Sequence, residues 1–243
     1  MASDSFSVMG IISTNNNYGW TSSLPNQVTM EFLRFLSSSP SRTVALDIGA
    51  AYGVATIAAL RTGAEVIAND IDEIHLQSIV RQAEMEDQVS RLETIRGYFP
   101  GELNFEELRA IHCSNVLHFL TGTEIEEGAR DMHSWLKPAG KIFIQVGTIY
   151  AGHIKKLLPT FEKRRRSGSR WAGETNHAKA FVMPEFVSAT PTFMNYMDAD
   201  PLVEAFESAG FVTEKAWYYT RDGAPDLVKN DGREFFGYIG IKP

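Results

Sequence analysis

The chain has 243 residues, 44% apolar and 11% aromatic, enough for a sizeable core and too apolar for a disordered segment. Its 23 basic against 30 acidic residues give a net charge of −7, which argues against a general nucleic-acid or anionic-membrane binder. One cysteine, Cys113, excludes an internal disulfide framework and a multi-cysteine zinc site, and no apolar run reaches the length of a membrane span.

The start, MASDSFSVMG, lacks the basic and apolar stretches of a secretory leader, so a cytoplasmic globular chain is expected. Ser22, Ser23 and Pro25 open a helix whose apolar face carries Val28, Phe32, Leu33, Phe35 and Leu36, stopped by SSSPS at 37–41. TVALDIG (43–49) reads as a first strand and GVATIAALRTG (53–63) as a helix closed by Gly63. AEVIAND (64–70) is a second strand, followed by a helix over 72–86 with Ile74, Leu76, Ile79 and Val80 inward. RLETIRGYF (91–99) and AIHCSN (110–115) are a third and a fourth strand. Thr123 and Glu126 suit a capping box for a helix running to Leu136, and KPAG turns into a fifth strand, KIFIQVG (141–147).

Residues 149–197 interrupt the alternation and are rich in aromatic residues and methionine. Asp200-Pro201 then starts a helix ending at Gly210, and FVTEKAWYYT (211–220) and EFFGYIGIK (234–242) form two last strands with an antiparallel pairing. Alternating strands and helices build an α/β doubly wound parallel sheet covered on both faces. The expected organisation is one domain: an N-terminal cap (1–40), a Rossmann-like core (41–148 and 198–243) and an insertion or lid (149–197).

In such sheets ligands bind beyond the carboxyl ends of the strands. ALDIGAAYG (45–53) places Asp47, Gly49 and Gly53 around a tight strand-to-helix turn where backbone can approach a ligand. Asn69-Asp70 ends the second strand, 21 residues after Gly49, where a carboxylate can accept hydrogen bonds from both ribose hydroxyls. Ser114-Asn115 ends the fourth strand beside the same crevice.

These residues resemble the class I S-adenosylmethionine-dependent methyltransferases of the small-molecule type. ALDIGAAYG is similar to that family's glycine-rich first motif and VIANDID (66–72) to its second-strand acidic motif. SNVLHFL (114–120), LKPAGKIFI (136–144) and SAGF (208–211) resemble its fourth-strand segment, its turn into strand five and its step into the final hairpin. The likeness spans roughly 40–148 and 198–242. It implies a seven-stranded sheet with a C-terminal antiparallel hairpin strand, S-adenosyl-L-methionine as cofactor and S-adenosyl-L-homocysteine as product.

The resemblance also implies site residues. Asp47, Gly49, Ala50, Ala51, Tyr52 and Gly53 would lie along the methionine moiety, and Asp70, flanked by Asn69 and Ile71, would hold the ribose. Gly97, Tyr98 and Phe99, with Ser114, Asn115 and Val116, would border the adenine or the sulfonium. Two positions depart from the pattern. Ala51 replaces a glycine, a change tolerated where the backbone avoids positive φ. Gly97-Tyr98-Phe99 stands where an aspartate often meets the adenine.

Methyl transfer displaces an activated sulfonium, so positioning supplies much of the acceleration and a base matters most for a hydroxyl acceptor. His118, just beyond Asn115, is the candidate catalytic base, with packing beneath the sheet edge as its alternative. Tyr150, His153 and Trp171 on a lid over 149–197, helped by the N-terminal Tyr18 and Trp20, are candidate acceptor-binding residues, with a satellite core as the alternative. No metal is expected, and the expected partner is a small-molecule methyl acceptor, with no membrane and nucleic acid disfavoured. HIKKLLPTFEKRRRSGSR (153–170) carries seven basic residues and one acidic, which keeps open an RNA or protein methyltransferase docking through that run. A non-catalytic protein that binds S-adenosylmethionine is the other alternative. A nicotinamide dehydrogenase lacks support, because the full GxGxxG is missing.

Overall fold

A computed structural model describes residues 11–14 and 19–243, with side chains from residue 14 onward within those ranges. Seven strands form one sheet: β1 (Val44–Ile48), β2 (Glu65–Asp70), β3 (Leu92–Arg96), β4 (Leu108–Ser114), β5 (Leu136–Gly147), β6 (Val212–Tyr219) and β7 (Phe235–Ile241). Their spatial order is β6-β7-β5-β4-β1-β2-β3. β7 runs antiparallel to both β5 and β6, while the pairs β5-β4, β4-β1, β1-β2 and β2-β3 are parallel. The expected antiparallel strand is therefore present, and it lies inside the sheet, with β6 at the edge. Its position returns β6 to the common direction, so β6 ends on the same edge as β1, β2 and β4.

Among the described residues six α-helices accompany the sheet: α1 (Gln27–Ser37), α2 (Val54–Leu60), α3 (Glu73–Met85), α4 (Gly122–Trp135), α5 (Leu158–Arg166) and α6 (Ala199–Ser208). α1, α2 and α3 bury Val28, Phe32, Leu60, Leu76 and Ile79 against one face. α4 and α6 bury Ile125, Ala129, Met132, Leu202 and Phe206 against the other. A third cluster, including Ile154, Leu157, Phe161, Phe186 and Tyr196, gives the 149–197 segment an apolar core of its own. Among the described residues no helix is long and apolar enough to cross a membrane.

Several local expectations shift by one turn or less. Asn26 caps α1, its side chain accepting the Thr29 N–H at 2.9 Å. The capping box of α4 is Thr121 with Glu124, not Thr123 with Glu126. Asp198 caps α6, which leaves Asp200 in its first turn. On α3, Ile74 is 53% exposed and the inward position belongs to His75, which is 1% exposed. Apolar spacing alone does not see that a carboxylate at the end of β2 offers the histidine a buried partner. Within 149–197, two short strands do form, Glu174–Thr175 pairing with Met194–Asn195.

Candidate active site

The carboxyl ends of β1, β2 and β4 open into a cavity of about 500 Å³. Asp47, Gly49, Ala50, Ala51, Asn69, Asp70, Ile71, Gly97, Tyr98, Phe99, Ser114, Asn115 and Val116 all line it, so the structure brings together most of the expected cofactor residues. Tyr52 and Gly53 stand outside that lining. Gly53 instead sits against α3, where an added Cβ would lie 2.7 Å from Ile79 Cγ1. Tyr52 packs its ring on His75 at 4.8 Å between centroids.

The glycine turn is narrow because the chain must reverse beneath the β4 end. Gly49 has φ +67, and a Cβ there would meet Val116 Cγ2 at 2.3 Å, so both space and backbone demand glycine. Ala51 also sits in the left-handed region, at φ 48, contrary to the expectation that its backbone avoids positive φ. Its N–H, directed at Asp70 Oδ2 at 2.8 Å, holds the turn there. Asp70 Oδ1 accepts the Asp72 N–H at 2.9 Å and lies 3.2 Å from His75 Nδ1. Burial pulls the His75 pKa down, and the hydrogen bond and charge of Asp70 more than offset it, leaving it above its ordinary value. Three of roughly four lone-pair directions on Asp70 are thus occupied, which leaves room for one further donor where two were expected.

Behind the turn lies a buried relay that sequence reasoning missed. Asp47 Oδ1 is 2.7 Å from His112 Nδ1, and His112 Nε2 is 3.0 Å from Thr29 Oγ1 on α1. Thr56 Oγ1 donates to Asp47 Oδ2 at 2.6 Å. Asn26 Nδ2 donates to Ser114 Oγ at 3.0 Å, and Gln145 Nε2 reaches both Ser114 Oγ (3.2 Å) and Asn115 Oδ1 (3.0 Å). α1 is thereby clamped over the β4 end, and Asn26, Thr29 and His112 join the cavity lining. Only the period-two pattern of β4 could have flagged His112, as a polar residue at a buried strand position.

A second cavity of about 150 Å³ adjoins the first, and Trp20, Thr21, Asn115, Phe119, Pro191 and Arg221 line both. Its remaining walls come largely from the 149–197 segment, through His153, Ile154, Phe186, Thr190, Met194 and Tyr196, with His118 and Phe235 from the sheet side. Burial, reinforced by the neighbouring His153, pushes the His118 imidazole down to about 4. Burial does the same to His153, whose Nδ1 is buried without a hydrogen-bond partner. Both rings are neutral at pH 7. Arg221, two residues past β6, carried no signal in the sequence, because only the sheet pairing shows on which edge β6 ends.

The other acceptor candidates fall elsewhere, and Tyr18 lies outside the described residues. Tyr150 stands outside both cavities, donating to Asp198 Oδ2 at 2.6 Å, with the Arg233 guanidinium 3.7 Å over its ring. Trp171 also lines neither cavity. It packs on the start of α4, where a Cβ added to Gly122 would overlap the indole at 1.9 Å, and its Nε1 lies 3.3 Å from Glu126 Oε1. A position between a basic run and a glycine suggests a mobile flap; the helix N-terminus beneath it makes the ring a wedge. The basic run is partly tied down as well. Arg164 donates to the Ala172 and Glu174 carbonyls, and Arg170 lies 2.9 Å from Glu126. Cys113 is fully buried and its thiol pKa is raised by that burial, so it is a core residue.

Residues 45–140 match a family model described as a methyltransferase domain. The seven-stranded sheet with its inserted antiparallel strand agrees with the fold that the resemblance to class I S-adenosylmethionine-dependent methyltransferases implies. The chain is similar in fold to a Methanosarcina mazei SAM-dependent methyltransferase (14% identity, TM-score 0.65, 86% of this chain and 96% of that one). It is likewise similar to an S-adenosylmethionine-dependent methyltransferase from Mesorhizobium loti (15%, TM-score 0.63, 88% and 98%). A third similar structure is the glycopeptide N-methyltransferase MtfA complexed with S-adenosylmethionine (14%, TM-score 0.59, 88% and 87%). No curated protein matches the sequence.

Proposed function

We propose that the chain moves a methyl group from S-adenosylmethionine to a nitrogen or oxygen atom of a small molecule. The observation that carries this reading is the pair of adjoining cavities, which share Asn115 at the end of β4. The larger one fits the donor: it has the volume, a glycine turn that no side chain could fill, and a buried carboxylate at the second strand end. When bound, S-adenosylmethionine supplies a methyl group already activated on a sulfonium.

The chain's own residues then position and exclude. Asp70 accepts a ribose hydroxyl, and Gly49 to Ala51 let the backbone approach the amino-acid end. Tyr98 and Phe99 border the base. Aromatic side chains and the insertion wall the smaller cavity, and an acceptor seated there would displace water, which strengthens the electrostatic interactions around it. His118, uncharged at pH 7, is available there to take the proton that an acceptor hydroxyl or amine sheds as the methyl arrives, when that proton has become strongly acidic. The smaller cavity's size and the internal pairing of Arg164 and Arg170 favour a metabolite over a long polyanion.

The test is titration calorimetry with S-adenosylmethionine and S-adenosylhomocysteine, followed by transfer of a labelled methyl to separated metabolite, RNA and protein fractions. Label in the metabolite fraction alone is expected. Salt-sensitive labelling of RNA, or binding of the donor with no transfer to any fraction, overturns the small-molecule reading.

A further inference from the structure

Arg221 is the single formally charged residue among those lining the smaller cavity, because His118 and His153 are neutral. Its guanidinium's one hydrogen bond among the described residues runs from a terminal nitrogen to the Leu24 carbonyl, at 3.3 Å. No described carboxylate lies within ion-pair distance of it. This is not for want of acid, since the chain holds 30 acidic residues against 23 basic, and Arg61, Arg165, Arg170 and Arg233 all have carboxylate partners. Burial without that compensation lowers the Arg221 pKa. A partly desolvated guanidinium with most of its five donors unused favours an anion, and its planar fork matches a carboxylate two bonds at a time.

Resting on the methyl-transfer reading above, we propose that the methyl acceptor is a single-ring molecule carrying a carboxylate, and that Arg221 pairs with that carboxylate. The ring is set by size and walls. About 150 Å³ is the volume of a cavity that takes up benzene, and Trp20, Phe119, Phe186, Tyr196 and Phe235 supply aromatic surface around it. The charge then anchors one end of the ring, which leaves the nucleophilic atom to face the shared wall at Asn115.

The donor also carries a carboxylate, on its amino-acid end, and Arg221 reaches the larger cavity too. Two features assign the guanidinium to the acceptor. Its own loop, Gly223, Ala224 and Pro225, walls the smaller cavity and not the larger. Its strand, β6, stands four inter-strand steps from β1, roughly 19 Å at the usual strand spacing, whereas the turn that would hold the amino-acid end leaves β1 directly.

The experiment is calorimetric titration of the full chain with benzoate and with benzamide, each with and without saturating S-adenosylhomocysteine. The wild type is expected to bind benzoate at least about tenfold more tightly than benzamide, the range of a charge-assisted pair. Arg221→Gln should erase that preference while leaving S-adenosylhomocysteine affinity within about twofold, and Arg221→Lys should restore part of it. A wild type that binds both probes alike overturns the proposal without needing any variant. So does an Arg221→Gln protein that loses S-adenosylhomocysteine affinity yet keeps its benzoate preference, since the guanidinium then serves the donor. Failure of the wild type to bind S-adenosylhomocysteine would sink the methyl-transfer reading, while the benzoate arm would still decide whether Arg221 receives a carboxylate.

Discussion

The Ala51 backbone N–H donates to Asp70 Oδ2 at 2.8 Å, so the residue that ends β2 also holds the turn that follows β1. The carboxylate that lines the larger cavity and the backbone it helps to shape are thereby one unit. Asp70→Asn should weaken S-adenosylmethionine and S-adenosylhomocysteine together, by about 10- to 150-fold, the range for losing a hydrogen bond to a charged group. Asp70→Ala should add a stability loss of about 1–3 kcal/mol, because the Ala51 and Asp72 N–H groups lose their acceptor. Calorimetry of both ligands with each variant checks this, and affinities within about twofold of wild type would remove Asp70 from the donor site.

Ala51 occupies the left-handed region at φ 48. That backbone costs a non-glycine residue roughly 1–2 kcal/mol, and glycine's greater freedom in the unfolded chain offsets about 0.4–1 kcal/mol of any relief. Ala51→Gly should therefore stabilise the fold by about 0.5–1 kcal/mol, a rise in Tm of about 1–4 °C for a chain of this size. Donor affinity should hardly move. A lower Tm would show that the methyl group of Ala51 contributes packing that outweighs the strain.

Acid should weaken the fold through His118 and His153. Each has a folded-state pKa of about 4 against an ordinary value of 6.5. Between those values the unfolded chain binds more protons than the folded one, so stability rises with pH there and is fully present above about 6.5. Each histidine contributes a slope of up to about 1.4 kcal/mol per pH unit inside that window. Urea midpoints from pH 7.5 down to pH 4.5 should fall for the wild type and less steeply for His153→Gln. For the same reason, methyl transfer should show no loss of activity near pH 6.5 attributable to His118. A sharp drop there would mean that His118 titrates normally and faces solvent.

Trp171 divides two roles for the insertion. Its indole packs on Gly122 and reaches Glu126, both on α4, and lines neither cavity. Trp171→Ala should cost about 2–4 kcal/mol, somewhat under a fully buried aromatic truncation, with donor and acceptor affinities retained by the folded fraction. Normal stability with impaired acceptor binding would return Trp171 to the pocket wall.

Much of the architecture was legible in the chain order because its causes are local. Strand-length apolar runs, glycines at turns and acidic residues at strand ends act over a few residues, so ALDIGAAYG and VIANDID pointed to residues that line one cavity before any contact was known. Side-chain direction was less legible. Period and spacing placed Ile74 inward and Trp171 on a flap, and the positions of Asp70 and the α4 N-terminus decided otherwise.

By itself, the sequence determined the alternation of strands and helices, the glycine turn with its facing carboxylate, and the aromatic insertion that walls the second cavity. Only the tertiary structure decided which distant groups meet. Asp47 finds His112 across 65 residues, and α1 is pinned to β4 through Asn26 and Ser114, 88 residues apart. Arg221 reaches the cavities only because β7 inserts antiparallel between β5 and β6 and turns the end of β6 toward the ligand edge. Local propensity acts on neighbours in the chain. Pairing a buried charge or seating a strand depends on which surfaces remain to be covered once the sheet has formed, and no short stretch of sequence carries that.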